Sequence, residues 1–416
     1  MPPLRRTVTT FLVSALIASV RPEPQVRPVW DPATLPVAFH SSNSTGRWSA
    51  AQLQQLAKYA MVTVEKWQNI VNIVPATTLV PAYNTPGGLY SCQNGSDLSR
   101  CGCCQEDEMV ASLAGLKRVN PKVVTIAYLH SDIMHSWYRA AGRLAQAPEC
   151  WLRDQAGEIV HSIHGNGGGN SGKASWMIYD HTQPKCSSLW ADSCLELTRT
   201  GVFDACFVDG CSDKPPSILS PSQAAAFVRG KQKMLTELQG NVSGPLICGS
   251  TGDVQLDMRA VQAEGWGVAP HGSTMFATRE IPNLMSAMRA GILFQAHGRA
   301  VCEHEADPHH PAVQTELAAF LIGMDSQAYF VCGSWELCSA DPPLRPERCA
   351  PNPNSTSIPW LPVYDLPLGA PVANATKTGG VWHRQFASGT TVTFDTKHEK
   401  GRIFWGSTAN AATLET

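Results

Sequence analysis

The sequence predicts an α/β protein, a (β/α)8 TIM barrel followed by a small C-terminal β appendage. Apolar strand-like runs alternate with helical segments over about 300 residues, which is typical of a parallel sheet, and this length favours a closed barrel over an open sheet. Beyond Cys332, turns and prolines replace the alternation. We therefore predict a barrel domain over 21–335 that carries cysteine-rich insertions, and a β-rich appendage over 336–416.

The predicted elements follow one another along the chain. Ser49 is a suitable N-cap for the first helix, and Pro282 lies in the first turn of a later one, where its missing N–H costs nothing. The cysteine-rich segment 81–104 is predicted to be a disulfide-pinned insertion, and 151–160 a hairpin. The predicted strands are 37–40, 59–64, 123–129, 175–179, 203–209, 245–249, 292–296 and 328–331. The predicted helices are 51–58, 106–119, 185–200, 222–239, 282–289 and 312–322, and the appendage strands are 381–386, 391–394 and 402–405.

Residues 1–20 are predicted to be a signal peptide. Arg5 and Arg6 precede the apolar run 8–20, which is shorter than the roughly 20 residues of a membrane span. The 14 cysteines are an even number, and five N-glycosylation sequons begin at Asn43, Asn94, Asn241, Asn354 and Asn374. Paired cysteines and sequons are typical of secreted chains. The sequence therefore predicts a secreted, disulfide-bonded glycoprotein without membrane insertion.

The charge balance limits the classes of partner. The net charge is −2 and no basic cluster occurs, which argues against nucleic acids and anionic membranes as partners. The glycine-rich loop 161–172 lacks the Gly-Lys-Ser/Thr ending of a phosphate-binding loop. We expect a monomer that needs no cofactor and acts on a neutral or mixed substrate.

The stretch 203–210 is the strongest candidate for a site. It is a short apolar strand that ends at Asp209, with Gly210 directly after it and the loop-forming pair Pro215 and Pro216 beyond. β/α barrels carry catalytic side chains at the C-terminal ends of their strands. The alternative is an Asp that caps the next turn.

Three blocks resemble a poorly characterised group of secreted TIM-barrel glycoside hydrolases. They are residues 179–184 (YDHTQP) before a helix that contains Trp190, the strand from Phe203-Asp204 to Asp209, and Val381-x-x-Arg384-x-Phe386-x-x-Gly389-x-x-Val392. The resemblance covers most of the chain from about Val37, and it implies hydrolysis of O-glycosidic bonds. Gln385 stands where such families often have an acid.

Glycosidic cleavage needs two carboxyl groups, one protonated and one ionised. Asp209 is predicted to be the ionised group. Glu264 is the first choice for the acid, because the ring of Trp266 could raise a carboxyl pKa by desolvation. Glu303 is the alternative acid, and the competing interpretation of Glu264 is a surface residue at a helix end. We predict further substrate contacts from Glu65, Asp132, Asp180, His181, Trp266 and Glu303.

Other functions have weaker support. The segment 304–310 is rich in histidine and acids, but Pro308 prevents the helix that would place two zinc ligands on one face, so no metal is predicted. No Gly-x-Ser-x-Gly elbow occurs for a serine nucleophile. The runner-up is a catalytically inactive barrel that binds glycans.

Overall fold

A computed structural model describes residues 26–44, 46–69, 105–135, 137–162, 176–250, 258–267, 275–298, 307–332, 336–337 and 360–406. The strands before the C-terminal region are β1 (Val37–Asn43), β2 (Met61–Val64), β3 (Val124–His130), β4 (His161–Ser162), β5 (Trp176–Met177), β6 (Ala205–Asp209), β7 (Ile247–Ser250), β8 (Ala260–Glu264), β9 (Leu293–Gly298), β10 (Ala328–Cys332) and β11 (Glu336–Leu337). Eight of them, β1 to β3 and β6 to β10, form a closed parallel barrel. Closure occurs where Val37 pairs with Phe330. The predicted (β/α)8 fold is confirmed.

Helices cover the outside of the barrel. They are α1 (Ala50–Leu56), α2 (Gln105–Leu113), α3 (Leu116–Val119), α4 (Arg139–Ala145), α5 (Pro184–Arg199), α6 (Pro221–Gln239), α7 (Ile281–Arg289) and α8 (Pro311–Gly323). Ser49 and Ser220 cap α1 and α6, each in a reciprocal capping box with a glutamine three residues later. The predicted single helix 106–119 is instead two helices. A Cβ on Gly115, between them, would lie 2.7 Å from the Cδ1 of Leu53 in α1, so a larger residue there would displace that side chain.

The strand predicted at 175–179 does not belong to the barrel. β5 pairs antiparallel with β4 in a separate two-stranded sheet, and Tyr179 forms a bridge with Trp151. A short apolar run has the same pattern in a hairpin and in a barrel strand, so the sequence could not distinguish them. The barrel passes directly from β3 to β6.

A small antiparallel sheet follows the barrel, as predicted for the appendage. Its strands are β12 (Thr376–Thr378), β13 (Val381–Gln385), β14 (Thr391–Asp395) and β15 (Lys400–Phe404). The buried Arg384 donates from Nη1 to the carbonyl oxygens of Leu321 at 2.9 Å and Ile322 at 3.2 Å. These carbonyls lie in the last turn of α8, so Arg384 caps that helix and joins the sheet to the barrel.

Three disulfides lie in one sector of the described barrel. They join Cys150 to Cys186, Cys194 to Cys206 and Cys211 to Cys248. Cys206 and Cys211 stand on either side of Asp209, so disulfides tie the start of β6 to α5 and the loop after β6 to β7. The predicted insertion 81–104 lies outside the described residues. In the described part of the chain, no helix is long and apolar enough to cross a membrane.

Candidate active site

Glu65 and Lys66 follow directly after β2. Glu65 is 1% exposed, and it accepts hydrogen bonds from His40 Nε2 at 2.8 Å and from Lys66 Nζ at 3.0 Å. Gln262 Nε2 lies 2.9 Å from His40 Nδ1 and forms a hydrogen bond with it. Burial acts to raise the pKa of Glu65, but the charge of Lys66 and the hydrogen bond from His40 outweigh it and the net pKa is lowered. The predicted sugar contact from Glu65 does not fit, because a carboxylate so buried and so paired cannot reach a ligand.

Lys66 brings the acidic residues of the barrel mouth together. Its ammonium lies 4.1 Å from the centre of the Tyr128 ring, in the range of a cation–π contact. Burial acts to lower the pKa of Lys66, but the charges of Glu65, Asp209 and Glu264 outweigh it and raise the pKa. Lys66 is therefore a charged group that is bonded to Glu65 and interacts electrostatically with Asp209 and Glu264, the last residues of β6 and β8.

Asp209 is the last residue of β6 and is held as a carboxylate. Its Oδ1 accepts from the backbone N–H of Gly210 at 2.7 Å, and its Oδ2 accepts from the hydroxyl of Tyr128. Burial acts to raise the pKa of Asp209, but the charge that His130 carries when it is protonated, the charge of Lys66 and these two hydrogen bonds outweigh it, so the net pKa is lowered. The side chain remains 29% exposed. Asp209 is thus an ionised group within reach of a ligand.

Glu264 is the last residue of β8, and unlike Asp209 it is held in its protonated form. Burial raises the pKa of Glu264 first, and the negative charges of Asp209 and Glu65 raise it further, to about 8, although Lys66 acts against them. The influence of Asp209 on this pKa places both carboxyl groups in one electrostatic environment at the barrel mouth. At neutral pH the pair therefore consists of one carboxylic acid and one carboxylate.

His130, the last residue of β3, lies beside Asp209. Nδ1 of His130 accepts from the backbone N–H groups of Asp132 at 3.1 Å and Ile133 at 3.0 Å. Its Nε2 lies 3.9 Å from Oδ2 of Asp209. Gly210 has φ +70°, and a Cβ there would lie 2.4 Å from the His130 ring, so only glycine allows this approach.

Asp132, in the loop after β3, and His181, after β5, were both predicted as sugar contacts. Lys231 of α6 is 1% exposed and donates to both carboxylate oxygens of Asp132, at 3.0 and 3.1 Å, and to the carbonyl of Gly210 at 3.0 Å. His181 is 1% exposed and makes hydrogen bonds with the Ser131 carbonyl at 2.8 Å and with Ser187 Oγ. Burial lowers the pKa of His181 to about 4. Both residues support the loop from behind.

Asp180 also has a local partner set. Its Oδ1 accepts from the backbone N–H of Thr182 at 3.0 Å and from the Thr182 hydroxyl at 2.6 Å, and its Oδ2 accepts from Gln183 at 2.7 Å. It follows β5 and precedes α5, so it does not stand at the end of a barrel strand. The geometry favours a turn-capping carboxylate at this position over the predicted sugar contact.

Trp266 does not face the mouth. It is fully buried, and its ring contacts those of Phe276, Phe294 and Phe320 between the barrel and its helices. Gly265 and Gly267 have φ of +67° and +79°, and this turn after β8 directs the indole outward. The predicted sugar contact does not fit an indole that is packed in this way. The predicted desolvation of Glu264 by this ring stays a prediction. Glu303, the other candidate acid, lies outside the described residues.

Several side chains of the site were not singled out from the sequence. Lys66 and Tyr128 stand at the ends of predicted strands, Lys66 next to Glu65 and Tyr128 facing Asp209. Their position at a strand end is the feature of the sequence that could have identified them. For Lys231 the sequence offers no such indication, since it lies within a helix that was predicted for its amphipathic pattern alone.

Among the described residues no group of three or more metal-ligating side chains occurs. Asp307 and His310, from the histidine-rich segment, lie at the N-terminus of α8, where His310 Nδ1 accepts from the backbone N–H of Ala312.

Solved structures of glycoside hydrolases are among the chains to which this one is similar. The chain is similar to the glycoside hydrolase domain of PelA from Pseudomonas aeruginosa, with 13% identity and a TM-score of 0.40 over 71% of this chain and 94% of that one. It is also similar to the maltogenic α-amylase AmyB from Thermotoga neapolitana, with 8% identity and a TM-score of 0.43 over 86% of this chain and 84% of that one. A dextranase from Flavobacterium johnsoniae matches with 11% identity and a TM-score of 0.41 over 74% of this chain, but over 37% of its own length. No curated protein matches the chain.

A family model matches more than half of the sequence. It covers residues 117–390, a range that includes the ends of β3, β6 and β8 and therefore His130, Asp209 and Glu264. The description of that family is hypothetical glycosyl hydrolase family 15. The chain belongs to this family of glycoside hydrolases.

Proposed function

We propose that this protein is a secreted enzyme that cleaves O-glycosidic bonds of an oligo- or polysaccharide, with Asp209 and Glu264 as its catalytic pair. Glu264 is the general acid that protonates the leaving oxygen. Asp209 is the ionised partner that attacks the anomeric carbon or activates water there. The substrate binds at the barrel mouth formed by the ends of β2, β3, β6 and β8.

The observation that carries this proposal is the position of two carboxyl groups at the ends of β6 and β8, in environments that shift their pKa values in opposite directions. A general acid must hold its proton at the working pH, and burial with the charge of Asp209 raises the pKa of Glu264 to about 8. The ionised partner must lose its proton, and donors from Tyr128 and Gly210 favour the carboxylate of Asp209. One site thus separates two chemically similar groups into an acid and a base.

Lys66 and Glu65 have a supporting role in this proposal. The ammonium of Lys66 partly balances the negative charges of Glu65 and Asp209, which limits the cost of keeping two carboxylates in one mouth. Glu65, held by His40, fixes the position of that ammonium. Neither residue needs to touch the sugar.

The test is turnover on a panel of oligo- and polysaccharides and their aryl glycosides, with released sugars measured. We expect the wild type to release product, and Asp209→Asn to lose turnover by at least a factor of about 1,000 while it still binds the same oligosaccharide. Asp192→Asn, at an exposed position of α5, is the control and keeps wild-type rates. Binding without turnover by the wild type on every member of the panel would favour a glycan-binding barrel instead.

Secretion has its own test. Mass spectrometry of protein recovered from the medium of expressing cells should find an N-terminus near Arg21. Glycans should occur at the exposed Asn241 and Asn374 but not at Asn43, which is 7% exposed in β1. An intact Met1 on cell-retained protein would contradict secretion without affecting the catalytic proposal.

A further inference from the structure

The protonation of His130 is fixed by the backbone of the loop that follows it. Backbone N–H groups can only donate, and two of them, from Asp132 and Ile133, point at Nδ1. Nδ1 is therefore the acceptor, and the ring proton is on Nε2. Burial lowers the pKa of His130, which favours the same neutral form. His130 presents a neutral N–H donor.

This donor points into the barrel mouth. Its Nε2 lies 3.9 Å from Oδ2 of Asp209, which is beyond hydrogen-bonding distance. No other acceptor for this N–H occurs in the part of the chain that the structure describes. The side chain is 13% exposed, so a ligand in the mouth can reach it. The N–H of His130 is held near the carboxylate of Asp209 without a hydrogen bond between them. This arrangement suits a ligand group that binds between the two side chains.

Packing behind the ring holds it in place. Gly210 lies so close to the ring that an added Cβ would be 2.4 Å from it, and Trp190 Nε1 donates to the carbonyl of His130 at 2.7 Å. Ser131 N–H donates to the carbonyl of Asp209 at 2.8 Å, and Lys231 binds both the Asp132 carboxylate and the Gly210 carbonyl. His130 and Asp209 thus belong to one connected unit, and their separation is set before any ligand binds.

We propose that His130 contacts the substrate directly and donates from Nε2 to a hydroxyl group of the sugar held at Asp209. A hydroxyl oxygen placed about 2.7–3.0 Å from both atoms accepts from His130 and donates to the Asp209 carboxylate. A gap of 3.9 Å between the two atoms accommodates such a triangle. This inference rests on the proposed function, and it identifies the ligand group as a hydroxyl beside the bond that is cleaved.

The test is a double-mutant cycle that combines the substitution of His130 with the removal of single hydroxyl groups from the substrate. The probes are the aryl glycoside that the wild type cleaves fastest in the panel above and its set of monodeoxy analogues. We expect His130→Ala to lower kcat/KM on the parent glycoside by about 10- to 100-fold, the loss of one buried hydrogen bond. On one monodeoxy analogue the wild type should already be slow, and His130→Ala should cause no further loss.

Two more variants separate contact from structure. His130→Gln retains an N–H donor of similar reach and should recover part of the rate on the parent glycoside. His383→Ala, at an exposed position of β13, should match the wild type throughout. An equal loss from His130→Ala on the parent and on every monodeoxy analogue would overturn the proposal and leave His130 as a structural residue.

The outcome for His130 is distinguishable from that for the catalytic pair. If the wild type cleaves a glycoside but the cycle shows no coupling, only the His130 contact is wrong. If the wild type binds an oligosaccharide without cleaving it, calorimetric Kd values for the same parent and monodeoxy sugars decide the contact by the same comparison. If the wild type neither binds nor cleaves any panel sugar, both proposals are wrong.

Discussion

Glu264 is held protonated by its burial first and by the negative charge of Asp209 second, and together they raise the pKa of Glu264 to about 8. The two residues end β8 and β6, two strands that are separated in the sheet only by β7. The charge that makes Asp209 useful as a base therefore also makes Glu264 useful as an acid. Most of the expected behaviour of the enzyme follows from this coupling.

The pH dependence of kcat/KM should be bell-shaped. Activity requires Asp209 to be ionised, and its lowered pKa puts the acid limb below the ordinary range of an aspartate. Activity also requires Glu264 to be protonated, so the rate should fall as pH rises through about 8. Glu264→Gln should remove the alkaline limb from the remaining activity on an activated aryl glycoside. An alkaline limb that persists in this variant would assign it to another group.

Glu264→Gln should also stabilise the protein, and increasingly so at higher pH. A carboxyl group whose folded pKa is raised contributes most to stability below its unfolded pKa of about 4.5, and that contribution is lost as pH rises through the folded pKa of about 8. The gain in Tm of the variant over the wild type should therefore grow between these values and then level off. Glu158→Gln, in the exposed hairpin, should show no such trend. A pH-independent difference in Tm would contradict the raised pKa.

Gly210→Ala should be more damaging than an ordinary glycine substitution. Gly210 has a positive φ, and its added Cβ would lie 2.4 Å from the His130 ring. Gly157→Ala is the matched control, because Gly157 has φ +83° with nothing within 4 Å of its added Cβ. Chemical denaturation should show a loss of about 1 kcal/mol for Gly157→Ala from backbone strain alone, and a clearly larger loss for Gly210→Ala. Equal losses would mean that the ring is not packed against Gly210.

Lys231→Met should destabilise the protein by about 3–5 kcal/mol, because it leaves the carboxylate of Asp132 without its buried partner. Lys233→Met, two residues away in α6, is the control. Lys233 is 68% exposed and pairs with Glu237 on the surface, so its replacement should cost less than about 1 kcal/mol. Urea unfolding of both variants measures the difference. Similar free energies of unfolding would show that Lys231 is not a buried anchor.

The sequence allowed the barrel to be predicted, for a physical reason. A parallel strand buried on both faces is a continuous apolar run, and an acid followed by glycine at its end, as at Asp209, is visible without a structure. Glu264 was proposed for its neighbour Trp266, and the strand β8 that it ends was not predicted. Asp180 has a similar local pattern, yet β5 lies outside the barrel, because strand pairing is not encoded in a run of a few residues. Trp266 was placed on the wrong side because its direction depends on the φ angles of Gly265 and Gly267. Lys231 and the tautomer of His130 depend on contacts between residues far apart in sequence.

The most direct test of the catalytic pair compares leaving groups. A good leaving group departs without protonation, whereas a sugar alcohol requires it, so loss of the general acid should be selective. We predict that Glu264→Gln lowers kcat/KM on natural oligosaccharides by at least about 100-fold more than on a nitrophenyl glycoside of the same sugar, while Asp209→Asn abolishes both. An equal loss on the two substrates for Glu264→Gln would contradict the assignment of Glu264 as the acid.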